Sequence, residues 1–424
     1  GLFASDGVER IPIHRSIAEF LGAKFIAKRL HDRAVSFVRV ETLMRGTEHG
    51  YPSDLRGLAA WLATLGPEIA RTKIIERDPL GVVLYGDVRL FAESDKRRIF
   101  DSLQTKAQNN PLFRTSERSS TPFGALCTSG LSAFFIEMLK KSSIEESDQI
   151  VLECVLDTIR HGKREAWFEL FIMPLDALVR NGGYWPRVRS RALRALVKVC
   201  SDKAAPLIAL AADIRDGKVA DGDDQLLGIL LEALYPDDIT PEKIFDYLHA
   251  PQSETLIGDY VLFWIQLTKK IPETPEQVTA LIEACVARWP VILPVIKARH
   301  MQSLSGEILA CALELNGDNA SVNQLYDWLG ISIDEYSHPQ IENEHRDRVV
   351  QWLIQHPKHY KSIYEYSVER LYAKSELQSQ RHTIEARLLR TPMPDDFIEW
   401  CFEQASEDQR AEVSDFYFQT AISK

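Results

Sequence analysis

Trp185-Pro-Arg-Val-Arg-Ser-Arg-Ala-Leu-Arg-Ala-Leu-Val-Lys-Val199 decides the fold class of this 424-residue chain. Val188, Ala192, Ala195, Leu196 and Val199 fall at the three- and four-residue steps of a single helix face. The alanines on that face allow a neighbouring helix to approach closely. The rest of the stretch carries Arg187, Arg189, Arg191, Arg194 and Lys198 with no acidic residue among them.

The same plan extends outward in both directions. From about Ser94 onward the chain reads as amphipathic segments of roughly ten to fifteen residues, each closed by a turn signal. The spacing predicts helices over Asp95–Thr105, Leu131–Lys141, Ser147–His161, Glu165–Val179 and Arg187–Cys200. Asn109-Asn-Pro111, His161-Gly162, Asn181-Gly-Gly183, Asp216-Gly217 and Tyr235-Pro236 are the breaks. Strand-type alternation bounded by hairpin signals is nearly absent. Short helix, turn, short helix at roughly forty-residue spacing is the pattern of an all-α chain built as an α-solenoid, HEAT/armadillo-like in plan.

Toward the start, Ser16–Leu30 reads as a helix with Ile17, Phe20, Leu21 and Phe25 on one broad face, interrupted by Lys24 and Lys28. Leu55–Leu65 is a cleaner helix ending at Gly66-Pro67. Val82–Asp87 fits a short strand, a short buried helix or an extended connector. Arg114–Thr121 is the most loop-like segment. Toward the end, helices are predicted over Glu342–Gln355, Tyr360–Leu377, Pro394–Gln404 and Ser406–Ile422. These punctuation marks divide the chain into segments 1–45, 46–110, 111–335 and 336–424, the third being the HEAT-like solenoid.

A net charge of -11 argues against wholesale binding to nucleic acid or to an anionic membrane, both of which select a basic footprint. The six cysteines (127, 154, 200, 285, 311 and 401) are dispersed, form no C-x-x-C pair and sit mostly among apolar residues. They read as small buried hydrophobes in a reducing, cytoplasmic setting. No apolar run approaches the ~20 residues of a membrane span.

Residue types that carry chemistry are scattered. No G-x-x-x-x-G-K-[ST] loop is present, and His161-Gly-Lys-Arg164 reads as a helix-connecting turn. Asp216–Asp224 is an acidic loop. Counted from Asp221, Asp223 and Glu232 hold the third and twelfth positions of a calcium loop, but Leu226 stands where its sharp turn needs glycine. Asp223 or Asp224 is expected instead to cap the next helix. His345, His356 and His359 lack nearby cysteines for a zinc site, and a solvated helix end is expected. Neither a G-x-S-x-G elbow nor an H-E-x-x-H helix occurs. The chain is therefore expected to carry no catalytic and no metal-binding residues. The Arg187–Lys198 face is expected to be solvated, with an arginine paired to a carboxylate of a neighbouring repeat, for which Asp213–Asp259 is the acidic source.

Trp185–Val199 resembles the second helix of a HEAT repeat. Ile11-Pro-Ile-His14-Arg-Ser-Ile-Ala-Glu19-Phe20-Leu21-Gly-Ala23 resembles the F-x-H-x-[ST]-h-x-E-F-h-A-A segment of NACHT-type signalling NTPases, members of the nucleotide-switched STAND class. Ser16, Ile17, Glu19, Phe20, Leu21 and Ala23 match. Pro12 replaces a phenylalanine and Gly22 an alanine. Leu55–Leu65 with Asp78–Asp87, Asp224–Asp238 and Pro392–Trp400 are similar to stretches in the helical C-terminal regions of bacterial NTPases of this kind.

The resemblance implies that residues 1–45 close a winged-helix module and lead into a helical sensor region, with 46–110 a helical linker. His14 matches the family histidine that reaches the β-phosphate of bound ADP, and is the one cofactor-binding candidate. The phosphate-binding loop and Mg²⁺ site would then lie upstream, so ATP or ADP with Mg²⁺ is a cofactor of the full-length protein and not of this segment. The implied role is a non-catalytic sensor or scaffold arm. It takes a protein partner or trigger ligand, the full-length protein forms a homo-oligomer, and the implied setting is signal transduction or anti-phage defence. Two other readings are a free-standing HEAT-type scaffold for protein interactions and a nucleic-acid-binding solenoid using the Arg187–Lys198 face.

Overall fold

The computed structural model describes residues 3–5, 10–12, 14–46, 50–114, 119–141, 144–201, 204–253, 257–270, 274–296, 303–334 and 336–422, with only the backbone described at 3–5, 10–12 and 268. The fold is all-α. Beside its helices, the described residues hold a two-stranded antiparallel hairpin, β1 (Phe3–Ser5) with β2 (Arg10–Pro12), in which Ala4 pairs with Ile11. The helices fall into two compact units, Gly1–Pro206 and Leu207–Lys424.

The first unit holds α1 (Arg15–His31), α2 (Phe37–Met44), α3 (Arg56–Leu65), α4 (Glu68–Arg77), α5 (Pro79–Tyr85), α6 (Glu93–Asn109), α7 (Ser132–Lys140), α8 (Glu146–His161), α9 (Ile172–Arg180) and α10 (Pro186–Val199). Packing is strongly sequential: α1 lies on α3, α3 on α5, α4 on α6, α6 on α8, α7 on α9 and α8 on α10. Six pairs thus set a helix against the one two places along, and α9 also packs on α10 and α3 on α4, which builds the core from neighbour to neighbour as in a solenoid. In α10 the inward row forms as its spacing predicts, with Val188, Ala192, Ala195, Leu196 and Val199 all buried.

Of the three alternatives for Val82–Asp87, the short buried helix is the one that forms, over Val82–Tyr85. It belongs to α5, which starts at Pro79 under an Asp78 cap whose carboxylate accepts from the Gly81 N–H at 3.0 Å. The buried row of α1 is Ala23, Ala27 and Leu30, while Leu21 and Phe25 stand exposed. α1 packs closely on α3, where Gly22 stands beside Leu58 and Glu19 covers Gly57. Phe20 keeps an edge-on contact with Trp61 at 5.0 Å. Glu165–Val179 also divides, into a 3₁₀ turn over Ala166–Phe171 and then α9.

The second unit begins within α11 (Ala205–Arg215) and continues through α12 (Gln225–Leu234), α13 (Asp259–Gln266), α14 (Pro275–Ala287), α15 (Trp289–Ile296), α16 (Ser303–Asn316), α17 (Val322–Gly330), α18 (Asn343–Gln355), α19 (Pro357–Ala373), α20 (Arg381–Arg387), α21 (Phe397–Glu407) and α22 (Ala411–Ile422). Here α14 packs on α16, α16 on α18 and α17 on α19, and the chain's final described pair is α21 on α22. α12 buries Leu226, Leu227, Leu230, Leu231 and Leu234, each worth about 2 kcal/mol of removal from water. Gly228 permits the α12–α13 contact: a Cβ there would stand 2.1 Å from the Tyr260 backbone nitrogen.

No single described helix is long and apolar enough to cross a membrane. α14 and α15 pass such a test only as a pair bent by 87°.

Candidate functional site

The segment that carries the family resemblance is built around the start of α1. The His14 carbonyl accepts from the Ile17 and Ala18 N–H groups, which starts the helix, while its imidazole is exposed and does not cap it. Arg15 binds Glu19 Oε1 at 2.8 Å, Asp54 Oδ1 at 3.0 Å and the Ser53 carbonyl at 2.8 Å, tying α1 to the turn before α3. The Glu19 carboxylate fills the space over Gly57, where a Cβ would stand 2.1 Å from Oε2. Gly57 is in the first turn of α3, where negative charge is favoured by the helix dipole. Glu19, Phe20 and Gly22 thus meet α3 with Ala23 buried beside them, while His14 is exposed. Ile13, its neighbour, lies outside the described residues.

The basic helix meets its carboxylates inside its own unit. Asp157 of α8 is fully buried. It takes Arg191 Nη1 at 2.6 and 2.7 Å on its two oxygens and Arg114 Nη2 at 2.8 Å. Glu153, one turn earlier, lies 2.6 Å from Arg187 Nε and 3.5 Å from Arg191 Nε. Burial pushes the Glu153 carboxyl above the usual carboxylate range, against the pull of Arg191 and Arg187. Arg189 is buried and donates to the Val179 carbonyl at 2.8 Å. The expected pairing to a neighbouring helix therefore forms, but α8 supplies it and not the stretch Asp213–Asp259. The reason is the stacking order, which sets α8 directly against α10.

The acidic loop folds as a helix start. Asp221 accepts from the Leu226 N–H at 3.2 Å and the Leu227 N–H at 2.8 Å, and Asp223 from the Gln225 N–H at 3.4 Å, so the cap is shared by Asp221 and Asp223 and not made by Asp224. Asp224 takes a left-handed backbone, φ 58°, and turns its carboxylate onto the Gln252 backbone N–H at 2.7 Å and side-chain amide at 3.0 Å. Burial pushes the Asp221 carboxyl up to about 6 in spite of its two backbone donors. Glu232 lies apart, bound to Lys270 at 2.5 Å. A cavity of about 500 Å³ opens beside this loop, lined in part by Arg215, Asp221, His249 and Gln252.

His345 separates from the other two histidines, which share one carboxylate. His345 is buried with its Nδ1 2.9 Å from Glu307. His356 stacks on Trp352 at 4.3 Å and points Nε2 at Asp318, 3.0 Å away. His359 reaches the same carboxylate at 3.8 Å. Among the described residues no group of three or more His, Cys, Asp or Glu side chains is arranged to hold a metal ion. All six cysteines are free thiols. Burial pushes Cys127, Cys285 and Cys401 up to about 12 and Cys154 and Cys311 up to about 11, far from the thiolate a nucleophile needs.

One adjacency has no signal in the sequence. Ser120 Oγ lies 2.9 Å from His161 Nε2 beside a cavity of about 500 Å³ that Asp87, Arg89 and Lys163 help to line. A hydroxyl beside an imidazole is half of a nucleophile–base–orienter set. Among the described residues no carboxylate hydrogen-bonds the other ring nitrogen. The pair fastens the loop after Arg114 to the end of α8, with residues 115–118 of that loop outside the described residues.

Comparison with known proteins adds no name to these features: no protein family, no curated protein and no solved structure matches the chain.

Proposed function

We propose that this chain is the helical sensor or scaffold arm of a nucleotide-switched signalling NTPase of the NACHT type, and that it works by holding a protein partner and not by catalysis. The observation that carries the reading is the start of α1. Glu19 and Phe20, which match the family segment, meet α3 with Ala23, also a match, buried beside them, while His14, which matches the nucleotide-contacting histidine, is exposed. The short hairpin of β1 and β2 running into α1 is the kind of element a winged-helix module ends on. Leu21 and Phe25 on α1 and Val38 and Leu43 on α2 stay exposed, which suits a further module packed on that side.

ATP or ADP with Mg²⁺ would be held by that module, with His14 reaching in from this one. A trigger bound to the arm would favour nucleotide exchange and homo-oligomer assembly, in a cytoplasmic signalling or antiviral defence role. A protein trigger is preferred to nucleic acid, because Arg187, Arg189 and Arg191 of α10 are already engaged by Glu153, Val179 and Asp157.

The test is the polypeptide encoded upstream of Gly1. A G-x-x-x-x-G-K-[ST] loop within roughly three hundred residues is expected. An upstream sequence without one overturns the reading.

A further inference from the structure

Among the described residues the outer face of the pair α21–α22 carries an exposed apolar row on each helix. Ile398 and Phe402 form one row along α21, and Phe418 and Ile422 form one row along α22. All four are between 41% and 56% exposed. The two helices run antiparallel, and Phe402 meets Phe418 edge-on at 6.0 Å. The four side chains therefore form one contiguous apolar patch. Ile398 also lines a cavity of about 500 Å³ walled by Tyr360, Glu385 and residues 390–395, so the patch opens into a recess.

The charge on α21 and α22 themselves is acidic, while Lys361 pairs with Asp396 at their start and Arg390 lines the recess. Residues 394–422 contain eight acidic side chains and one basic one. Glu399, Glu403 and Glu407 are exposed at four-residue steps and run as a ridge beside the Ile398–Phe402 row, with Glu412 and Asp415 exposed on α22. Arg410, the one base, is bound by Glu369 and Asp408. An apolar centre with an acidic border selects its occupant. A second copy of the same face would bring two acidic borders together, and nucleic acid or an anionic lipid surface would be repelled. An amphipathic helix with aliphatic or aromatic anchors at i, i+4 and lysines or arginines on its flanks matches both features at once.

We propose that the outer face of α21–α22 is a docking site for a basic amphipathic helix of a partner protein. The proposal deepens the reading of the chain as an arm for a protein partner and rests on that part of it alone. It requires no nucleotide module.

The test is fluorescence anisotropy with the 424-residue chain and a labelled amphipathic Leu/Lys helix as probe. A Leu/Glu helix of the same pattern and a scrambled Leu/Lys peptide serve as comparisons. The Leu/Lys helix is expected to bind at least about tenfold more tightly than either comparison. F402S/F418S and E399K/E403K should each weaken it by about tenfold or more, and E137K/E344K, with the same change in net charge elsewhere, by less than about twofold. Circular dichroism melting of each variant within a few degrees of the parent establishes that folding is intact, and a variant that melts early is replaced by F402Q or E403Q. No binding, equal binding of the scramble, or equal loss from E137K/E344K overturns the proposal. So does a concentration-dependent dimer abolished by F402S/F418S, which would make the occupant a second copy. Absence of an upstream nucleotide loop would leave all of these outcomes unchanged.

Discussion

Asp157 is the residue whose removal the structure predicts most sharply. Its side chain is fully buried and bridges Arg114, whose own side chain is 10% exposed, and Arg191, which is 33% exposed. Asp157→Asn keeps the shape and removes the charge, so the Arg114 guanidinium is left buried beside a neutral amide. Breaking one partner of a buried pair costs ~3–5 kcal/mol, and the lower end applies because Glu153 stays close and Arg191 relaxes into solvent. In a unit of about two hundred residues each kcal/mol moves the midpoint by ~2–4 °C, so Asp157→Asn should lower the melting of the first unit by roughly 6–12 °C. Arg187→Ala is the contrast: that arginine is 55% exposed, and its loss should cost ~1 kcal/mol or less. Differential scanning calorimetry reads both, and the Asp157→Asn/Arg114→Met double variant should recover part of the loss because the orphaned charge is gone. A midpoint for Asp157→Asn within about 1 °C of the parent would refute the buried-pair argument.

Three further outcomes follow from the packing. Gly228→Ala forces a methyl to within 2.1 Å of the Tyr260 nitrogen, so α12 and α13 must part; a loss of about 3 kcal/mol is expected in urea unfolding. Asp221, pushed up to about 6 by burial, binds its proton more tightly folded than unfolded. Its contribution is therefore most favourable at low pH and is lost as pH rises from about 4 to about 6, by on the order of 2 kcal/mol. Asp221→Asn should remove that pH dependence in parallel melts at pH 5 and pH 7. Phe25→Ser, at a position 61% exposed, should change the stability of this chain by less than about 0.5 kcal/mol, while loosening the contact with an upstream module if one packs there, as limited proteolysis of the complete polypeptide would read.

How far the fold was legible depended on range. α10 was readable because its row of Val188, Ala192, Ala195, Leu196 and Val199 is a local pattern, and the Gly, Asn and Pro breaks are local chemistry. α1 misled because Leu21 and Phe25 are larger than Ala23 and Ala27 and dominate a hydrophobicity reading. Which face is buried was set by the packing against α3, some forty positions away. The same limit hid the partners of Arg191: nothing in Asp157 announces a buried carboxylate until α8 and α10 are stacked. Ser120 beside His161 and the α21–α22 patch arise the same way, since each needs two segments brought together. The cap of α12 was expected from Asp223 or Asp224; Asp223 holds the Gln225 N–H, and the turn at Asp224 also brings Asp221 onto the helix start.

Nucleotide content tests the central proposal most directly. The complete polypeptide carrying this segment is purified without added nucleotide, and its bound ADP is measured before and after His14→Ala. The account predicts retained ADP in the parent, and release faster by ~10–100-fold in His14→Ala, the worth of one hydrogen bond to a charged phosphate. A nucleotide-free parent, or ADP release indifferent to His14, would contradict it.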